Sequence, residues 1–138
     1  MSRLDKFIAY ENKRCLNIVK VFIVEDDSSL RVLYEKVLSL SGYEVIGLAK
    51  DGEEAVNMYK DFLEKPDVII MDHRMPIKNG IEATKEIFDN SSKEKPKIIF
   101  ASADQTIKDL ALTIGVTSFK SKPFTLENLF NNIEKAIS

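Results

Sequence analysis

Val68-Ile69-Ile70-Met71-Asp72-His73-Arg74-Met75-Pro76-Ile77-Lys78-Asn79-Gly80 is an apolar run that stops on a carboxylate and turns at once through proline and glycine. Large apolar residues in sequence, with no polar alternation, fit a strand buried on both faces in the middle of a parallel sheet. Open sheets of that kind bind ligands just outside the carboxyl ends of their strands. Asp72 stands at such an end, which makes it a candidate nucleophile.

Working outward from this run, short apolar stretches alternate with segments of helical period from Lys20 to the last residue. The strands are expected at Val21 to Glu25, Glu44 to Leu48, Asp67 to Met71, Lys97 to Ala101 and Ser118 to Lys120. Between them lie stripes at spacings of three and four: Leu30, Leu33, Val37 and Leu40; Val56, Tyr59 and Leu63; Ile107, Leu110, Ala111 and Ile114; Leu126, Leu129, Phe130, Ile133 and Ile137. Ser28 or Ser29, Asp51, Asn79, Asp104 and Thr125 stand where N-caps belong, and Gly42 and Gly115 where helices stop. The pattern implies an α/β fold, a five-stranded parallel sheet with helices on both faces; if the strand order is 2-1-3-4-5, it is the doubly wound, flavodoxin-like arrangement with five helices. Asn90 to Lys95, ahead of Pro96, is the longest expected loop.

The 138 residues suit a single domain, read as an N-terminal extension over 1–17 and a domain over 18–138. The extension carries a weak helical stripe at Leu4, Phe7, Ile8 and Cys15, and is either disordered or a short helix. Twenty basic and twenty-two acidic residues give a net charge of -2, with no excess of cations to displace the counterions of a nucleic acid. A single cysteine forms no internal disulfide and suits a reducing compartment. The charged N-terminus lacks the apolar core of a signal peptide, and no run approaches the roughly 20 apolar residues of a membrane span. A cytoplasmic protein that binds neither nucleic acid nor membrane is the expectation.

Four places at or just past expected strand ends carry chemistry: Glu25-Asp26, Asp72, Ser102 and Lys122. With strand order 2-1-3-4-5, Asp26 and Asp72 flank the crevice where the winding reverses, and two acids there suit a hard cation. Mg2+ takes a near-octahedral shell of oxygens and keeps several waters, so two carboxylates and a main-chain carbonyl suffice from the protein. Asp26 and Asp72 supply the carboxylates, Glu25 holds a metal-bound water, and the Arg74 carbonyl is a further ligand; Mn2+ is the alternative ion. An acidic triplet such as Glu25-Asp26-Asp27 standing alone would more often be a solvated turn capping a helix.

Phe22-Ile23-Val24-Glu25-Asp26-Asp27, Ile70-Met71-Asp72-His73-Arg74-Met75-Pro76, Phe100-Ala101-Ser102-Ala103 and Lys122-Pro123-Phe124 together resemble the signature set of response-regulator receiver domains, the CheY-like family, from Lys20 to Ser138. The resemblance implies two-component signalling by a stand-alone receiver: a phosphoryl group passes from a histidine kinase or histidine phosphotransferase to Asp72, with Mg2+ as cofactor. Ser102 and Lys122 would bind phosphoryl oxygens. Ser102 and Phe119 would form the switch, with Phe119 turning inward on packing alone because it lacks a tyrosine hydroxyl. The Lys122-Pro123 bond is expected to be cis. Arg74 and Asp104, each two residues beyond a signature position, would flank the path of attacking water and set the dephosphorylation rate as an ion pair. His73 is expected to be exposed and incidental.

Such a protein is not an enzyme beyond catalysing its own phosphorylation and dephosphorylation. It would be a monomer or weak dimer, signalling to a target left unnamed through the surface of its fourth helix, last strand and last helix, near Lys120, Asn128 and Asn131. The alternative is a receiver-like interaction module that works without phosphorylation. A Mg2+-dependent phosphohydrolase is disfavoured, because such enzymes place a second acid where this chain has Arg74, and Arg cannot protonate a leaving group.

Overall fold

Five strands lie side by side in the computed structural model, which describes residues 2–5, 18–92 and 94–138. They are β1 (Lys20–Val24), β2 (Glu44–Ala49), β3 (Val68–Met71), β4 (Lys97–Ser102) and β5 (Ser118–Ser121), all parallel, in the order β2-β1-β3-β4-β5. The connecting helices are α1 (Ser28–Leu40), α2 (Gly52–Asp61), α3 (Gly80–Asp89), α4 (Lys108–Ile114, entered through a 3-10 turn at Gln105–Ile107) and α5 (Leu126–Ile137). Residues 3–5 are also helical, a segment that the expected count of five helices did not include. Most of the 1–17 extension, with Phe7, Ile8 and Cys15, lies outside the described residues.

Alternation along the three central strands divides the core in two. Phe22, Val24, Ile69, Met71, Ile98 and Phe100 point to the layer of α2, α3 and α4, while Val21, Ile23, Val68, Ile70, Ile99 and Ala101 point to the layer of α1 and α5. Each of these side chains is at most 1% exposed. Burying one such aliphatic side chain is worth about 2 kcal/mol, so these strands anchor the sheet whose ends carry the site. On the edge strand β2, Ile46 is left out of the pairing, since Val21 pairs with Val45 and Phe22 with Gly47.

Three helix faces differ from expectation. On α1 the buried residues are Tyr34 and Leu38, with Leu30 packed beside them, while Leu33 and Leu40 are exposed. On α2 the inward residue near the end is Phe62, packed edge-on against Phe22, and Leu63 is fully exposed. Leu110 of α4 is likewise exposed. A set spaced by four and a set spaced by three and four look equally amphipathic in one dimension, and which faces the sheet depends on how the helix is rotated as it leaves its loop. The cap of α1 also differs from expectation. Asp27, rather than Ser28 or Ser29, accepts hydrogen bonds from Ser29 N and Leu30 N at 2.9 and 3.1 Å. Asp51, Asn79, Asp104 and Thr125 cap as expected, and Gly115 ends α4 with φ 110°.

Between β3 and α3 the chain makes a tight turn in which Lys78 N donates to Pro76 O at 2.8 Å, and Ile77 at its centre has φ 71°. A β-branched residue in the left-handed region costs about 1–3 kcal/mol. Ile77 is 76% exposed and regains little of this by burial. Ile77→Gly is therefore expected to stabilise the protein by about 1 kcal/mol after the entropy of glycine is subtracted, read as a higher midpoint in urea at unchanged slope.

Candidate functional site

The residues picked out from the sequence converge at the carboxyl ends of β1, β3, β4 and β5. Glu25 follows β1 and is held by its own N–H, which donates to Ala49 O at 3.0 Å; Asp72 follows β3, its N–H donating to Val24 O at 3.0 Å. These ladder bonds continue the sheet by one residue past the strands, so the carboxylates stand on fixed backbone. Glu25, Asp72 and Ser102 are 2, 8 and 1% exposed, whereas Asp26 faces solvent. Carboxylate oxygens of Glu25, Asp26 and Asp72 all lie within 4.8 Å of one another.

Lys122 reaches this group from beyond β5. Its Nζ bonds Glu25 Oε1 and lies 3.6 Å from Asp72 Oδ1. The Lys122 backbone N–H donates to Ser102 O at 2.9 Å, tying it to the end of β4. The Lys122-Pro123 bond is cis, as expected. His73 N donates to Asp72 Oδ1 at 2.8 Å, and Asp104 N donates to Ser102 Oγ at 3.0 Å.

Electrostatics follow from this crowding. Burial, then the neighbouring Glu25 carboxylate, push Asp72 from 3.8 up to about 8, with Lys122 opposing. Burial pulls the Lys122 ammonium down, but its bond to Glu25 and the charges of Asp72 and Glu25 outweigh that and leave it above its ordinary value. One ammonium thus serves two of the three acids. The donor set is all oxygen, carries more negative charge than Lys122 balances, and fits a hard divalent cation.

At the rim, Arg74 Nη2 lies 3.4 Å from Asp104 Oδ2, so the expected pair is formed, with Arg74 largely in solvent. Phe119 is half-buried and stacks on Phe100, centroids 6.1 Å apart and planes at 16°. His73 is not exposed as expected. It is half-buried with its ring 5.8 Å from Phe100 and its Nδ1 buried without a partner among the described residues, and burial lowers its pKa. The short loop to α3 folds its side chain back over the β4 ring.

Three contributors escaped the sequence reading. Arg31 Nη1 donates to Glu25 O at 2.8 Å and to Asp26 O at 3.4 Å, clasping the loop that carries both acids. Its place in the second turn of the helix after an acidic loop was the available signal. Tyr34, buried on α1, stacks on Phe124 two residues beyond Lys122, and only the spacing Leu30, Tyr34, Leu38 would have revealed it. Gly80 is the third. A methyl group there would stand 2.2 Å from Asp72 O and 2.9 Å from His73 Cα.

A five-stranded parallel sheet of this order, with buried acids and a lysine at its carboxyl edge, defines the flavodoxin-like class of α/β proteins. The chain belongs to the response regulator receiver domain family, whose pattern matches residues 21–134. It is 36% identical over 120 residues to the transcriptional regulatory protein PdtaR of Mycobacterium tuberculosis, covering 86% of this chain and 57% of that one, so it spans little more than half of that relative's length. It is 35% identical over 116 residues to the chemotaxis protein CheY of Thermotoga maritima, covering 84% of this chain and 95% of that one. Among solved structures, the response regulator domain of Thermotoga maritima CheB superposes with a TM-score of 0.76 at 32% identity, covering 88% of this chain and 97% of that one. Receiver domains are signalling modules of two-component systems, generally non-enzymatic, that work with histidine kinases and downstream targets. No helix among the described residues is long and apolar enough to cross a membrane.

Proposed function

We propose that this receiver accepts a phosphoryl group on Asp72 from a phosphohistidine of a histidine kinase or phosphotransferase, and signals through the surface of α4, β5 and α5. The observation that carries the reading is the meeting of three strand ends: a buried Asp72 with Lys122 Nζ 3.6 Å away and the oxygens of Glu25 and Asp26 within 4.8 Å. An Asp72 oxygen forms the new P–O bond as the P–N bond breaks, and the donor imidazole departs with that electron pair. Lys122, freed from Asp72, takes one phosphoryl oxygen, and the Ser102 hydroxyl donates to another. Glu25, Asp26, Asp72 and the Arg74 carbonyl would hold Mg2+, which when bound offsets the negative charge of the phosphoryl oxygens. Movement of Ser102 toward the phosphate would leave space that Phe119, already stacked on Phe100, can enter.

Incubation with Mg2+ and acetyl phosphate is expected to give one acid-stable, base-labile phosphate per chain, absent in Asp72→Asn. No label with any small donor or with a phosphorylated histidine phosphotransferase would overturn the reading in favour of an interaction module. The Arg74 and Asp104 pair lies at the rim, where it would stand across the approach of water. Arg74→Ala is expected to shorten the half-life of the phosphorylated protein several-fold, about 1 kcal/mol of barrier, measured by loss of label after removal of the donor. An unchanged half-life would leave the pair without a role in dephosphorylation.

A further inference from the structure

Tyr34 has no part in the chemistry above, yet it is 5% exposed on the face of α1 that packs against the Lys122 segment. Its ring lies nearly parallel to that of Phe124, with centroids 6.3 Å apart and planes at 13°. Phe124 follows Lys122 by two residues, between the end of β5 at Ser121 and the start of α5 at Leu126. That stretch has left one regular element and not yet entered the next. Its tether to the sheet at Lys122 is the bond from Lys122 N to Ser102 O, and the Tyr34 ring supplies a second rigid partner two residues further on.

Lysine is flexible. Its side chain gives up much rotamer freedom when held in one geometry, so where its ammonium rests depends on how firmly its backbone is fixed. A displacement of about 1 Å at a reacting group can cost about a hundredfold in rate. The far end of Tyr34 also lies within the field of the site. Burial raises its hydroxyl pKa, the Lys122 charge opposes the rise, and the charges of Glu25 and Asp72 add to it.

We infer that Tyr34 is a positioning residue for Lys122: its ring, stacked on Phe124, fixes the segment from which the ammonium reaches Glu25 and Asp72. The inference rests on the phosphoacceptor reading, and it assigns the effect to the ring rather than to the hydroxyl.

Labelling by acetyl phosphate at saturating Mg2+ tests it. Tyr34→Leu is expected to be slowed about tenfold and Tyr34→Phe to stay within about twofold of wild type, a fraction of the loss that misplacing a reacting group can bring. The Mg2+ midpoint of thermal stabilisation should be the same in all three, because no metal ligand has moved. In a Lys122→Ala background Tyr34→Leu should slow labelling no further, since a residue that acts through Lys122 has nothing left to position. Equal slowing in both backgrounds, or full activity of Tyr34→Leu, would overturn the inference. Should Tyr34→Leu fold poorly, Phe124→Leu removes the other half of the stack with the same expected cycle. A last arm needs no phosphodonor. The Cε resonance of Lys122 should move in Tyr34→Leu and stay in place in Tyr34→Phe. If wild type takes no label, the phosphoacceptor reading fails, and this arm alone decides whether the stack holds Lys122.

Discussion

Asp72→Asn is expected to raise the stability of the metal-free protein at pH 8 by about 2 kcal/mol, the scale on which an inadequately compensated buried charge acts. The wild-type carboxyl is pushed from 3.8 to about 8 by burial and by the Glu25 carboxylate. Its pKa is therefore higher in the folded than in the unfolded state, and the folded state holds the extra proton between those values. The stability this proton lends is fully present below about pH 4 and is lost as pH rises toward 8. In buffer containing a chelator, the melting temperature of wild type should fall across that window, whereas Asp72→Asn, which keeps the shape of the protonated acid, should give a flatter profile. The gain in the variant shrinks toward acid for the same reason.

Mg2+ reverses the slope, because the cation and the proton compete for the same oxygens. Its stabilisation of wild type should grow with pH over the same window and disappear in Asp26→Ala, which removes a proposed ligand. Thermal melts at four or five pH values, each with and without millimolar Mg2+, read all of this. A wild-type profile that stays flat from pH 4 to 8 without metal would mean that Asp72 is not crowded as the geometry implies. An Asp26→Ala protein that still responds to Mg2+ would remove the metal assignment.

Gly80→Ala should be strongly damaging for so small a substitution. A glycine to alanine change near a helix start ordinarily favours the helix by up to about 1 kcal/mol. Here the added methyl would meet Asp72 O at 2.2 Å, the Phe100 ring at 2.8 Å and His73 Cα at 2.9 Å. The 2.2 and 2.9 Å contacts are backbone, which a rotamer change cannot relieve, so α3 must back away from the strand end that carries Asp72. A loss of about 3 kcal/mol is expected, together with at least a tenfold drop in labelling of the molecules that do fold. Gly42→Ala is the matched control. Gly42 has φ 94° and no heavy atom within 4 Å of the added methyl, so the change costs only backbone strain, about 1 kcal/mol, and should leave labelling intact. Equal losses at both glycines would show that a small backbone shift relieves the close approach at position 80.

Strand positions were legible in the chain because apolar runs such as Val68 to Met71 have one physical use in a soluble domain, and each expected strand lies within a residue or two of the observed one. The site was legible for a related reason. Residues that follow those runs must emerge at one edge of a parallel sheet, so Glu25, Asp26, Asp72, Ser102 and Lys122 could be grouped from the sequence, and the structure brings the three acids and Lys122 together there, with Ser102 beside Lys122. Helix faces were less legible. Leu30, Leu33, Val37 and Leu40 form as regular a stripe as Leu30, Tyr34 and Leu38, and periodicity alone does not fix a helix's rotation about its axis. Alternation does send the His73 ring to the face of Met71 and Phe100, and it was misplaced because alternation gives a direction and not the packing that half-buries the ring there.

What the sequence determined by itself, then, was the order of elements, the buried strands and the identity of the acids and the lysine at their ends, all properties of residue type and local period. What only the tertiary structure decided was contact between a residue of one element and the loop or strand end beside it. Arg31 clasping the Glu25 loop, Tyr34 stacked on Phe124, and Gly80 pressed against the Asp72 carbonyl depend on how rigid elements are rotated and how closely their backbones approach. Those quantities are set by packing across the sheet, where every neighbour must fit at once, and no one-dimensional pattern carries them.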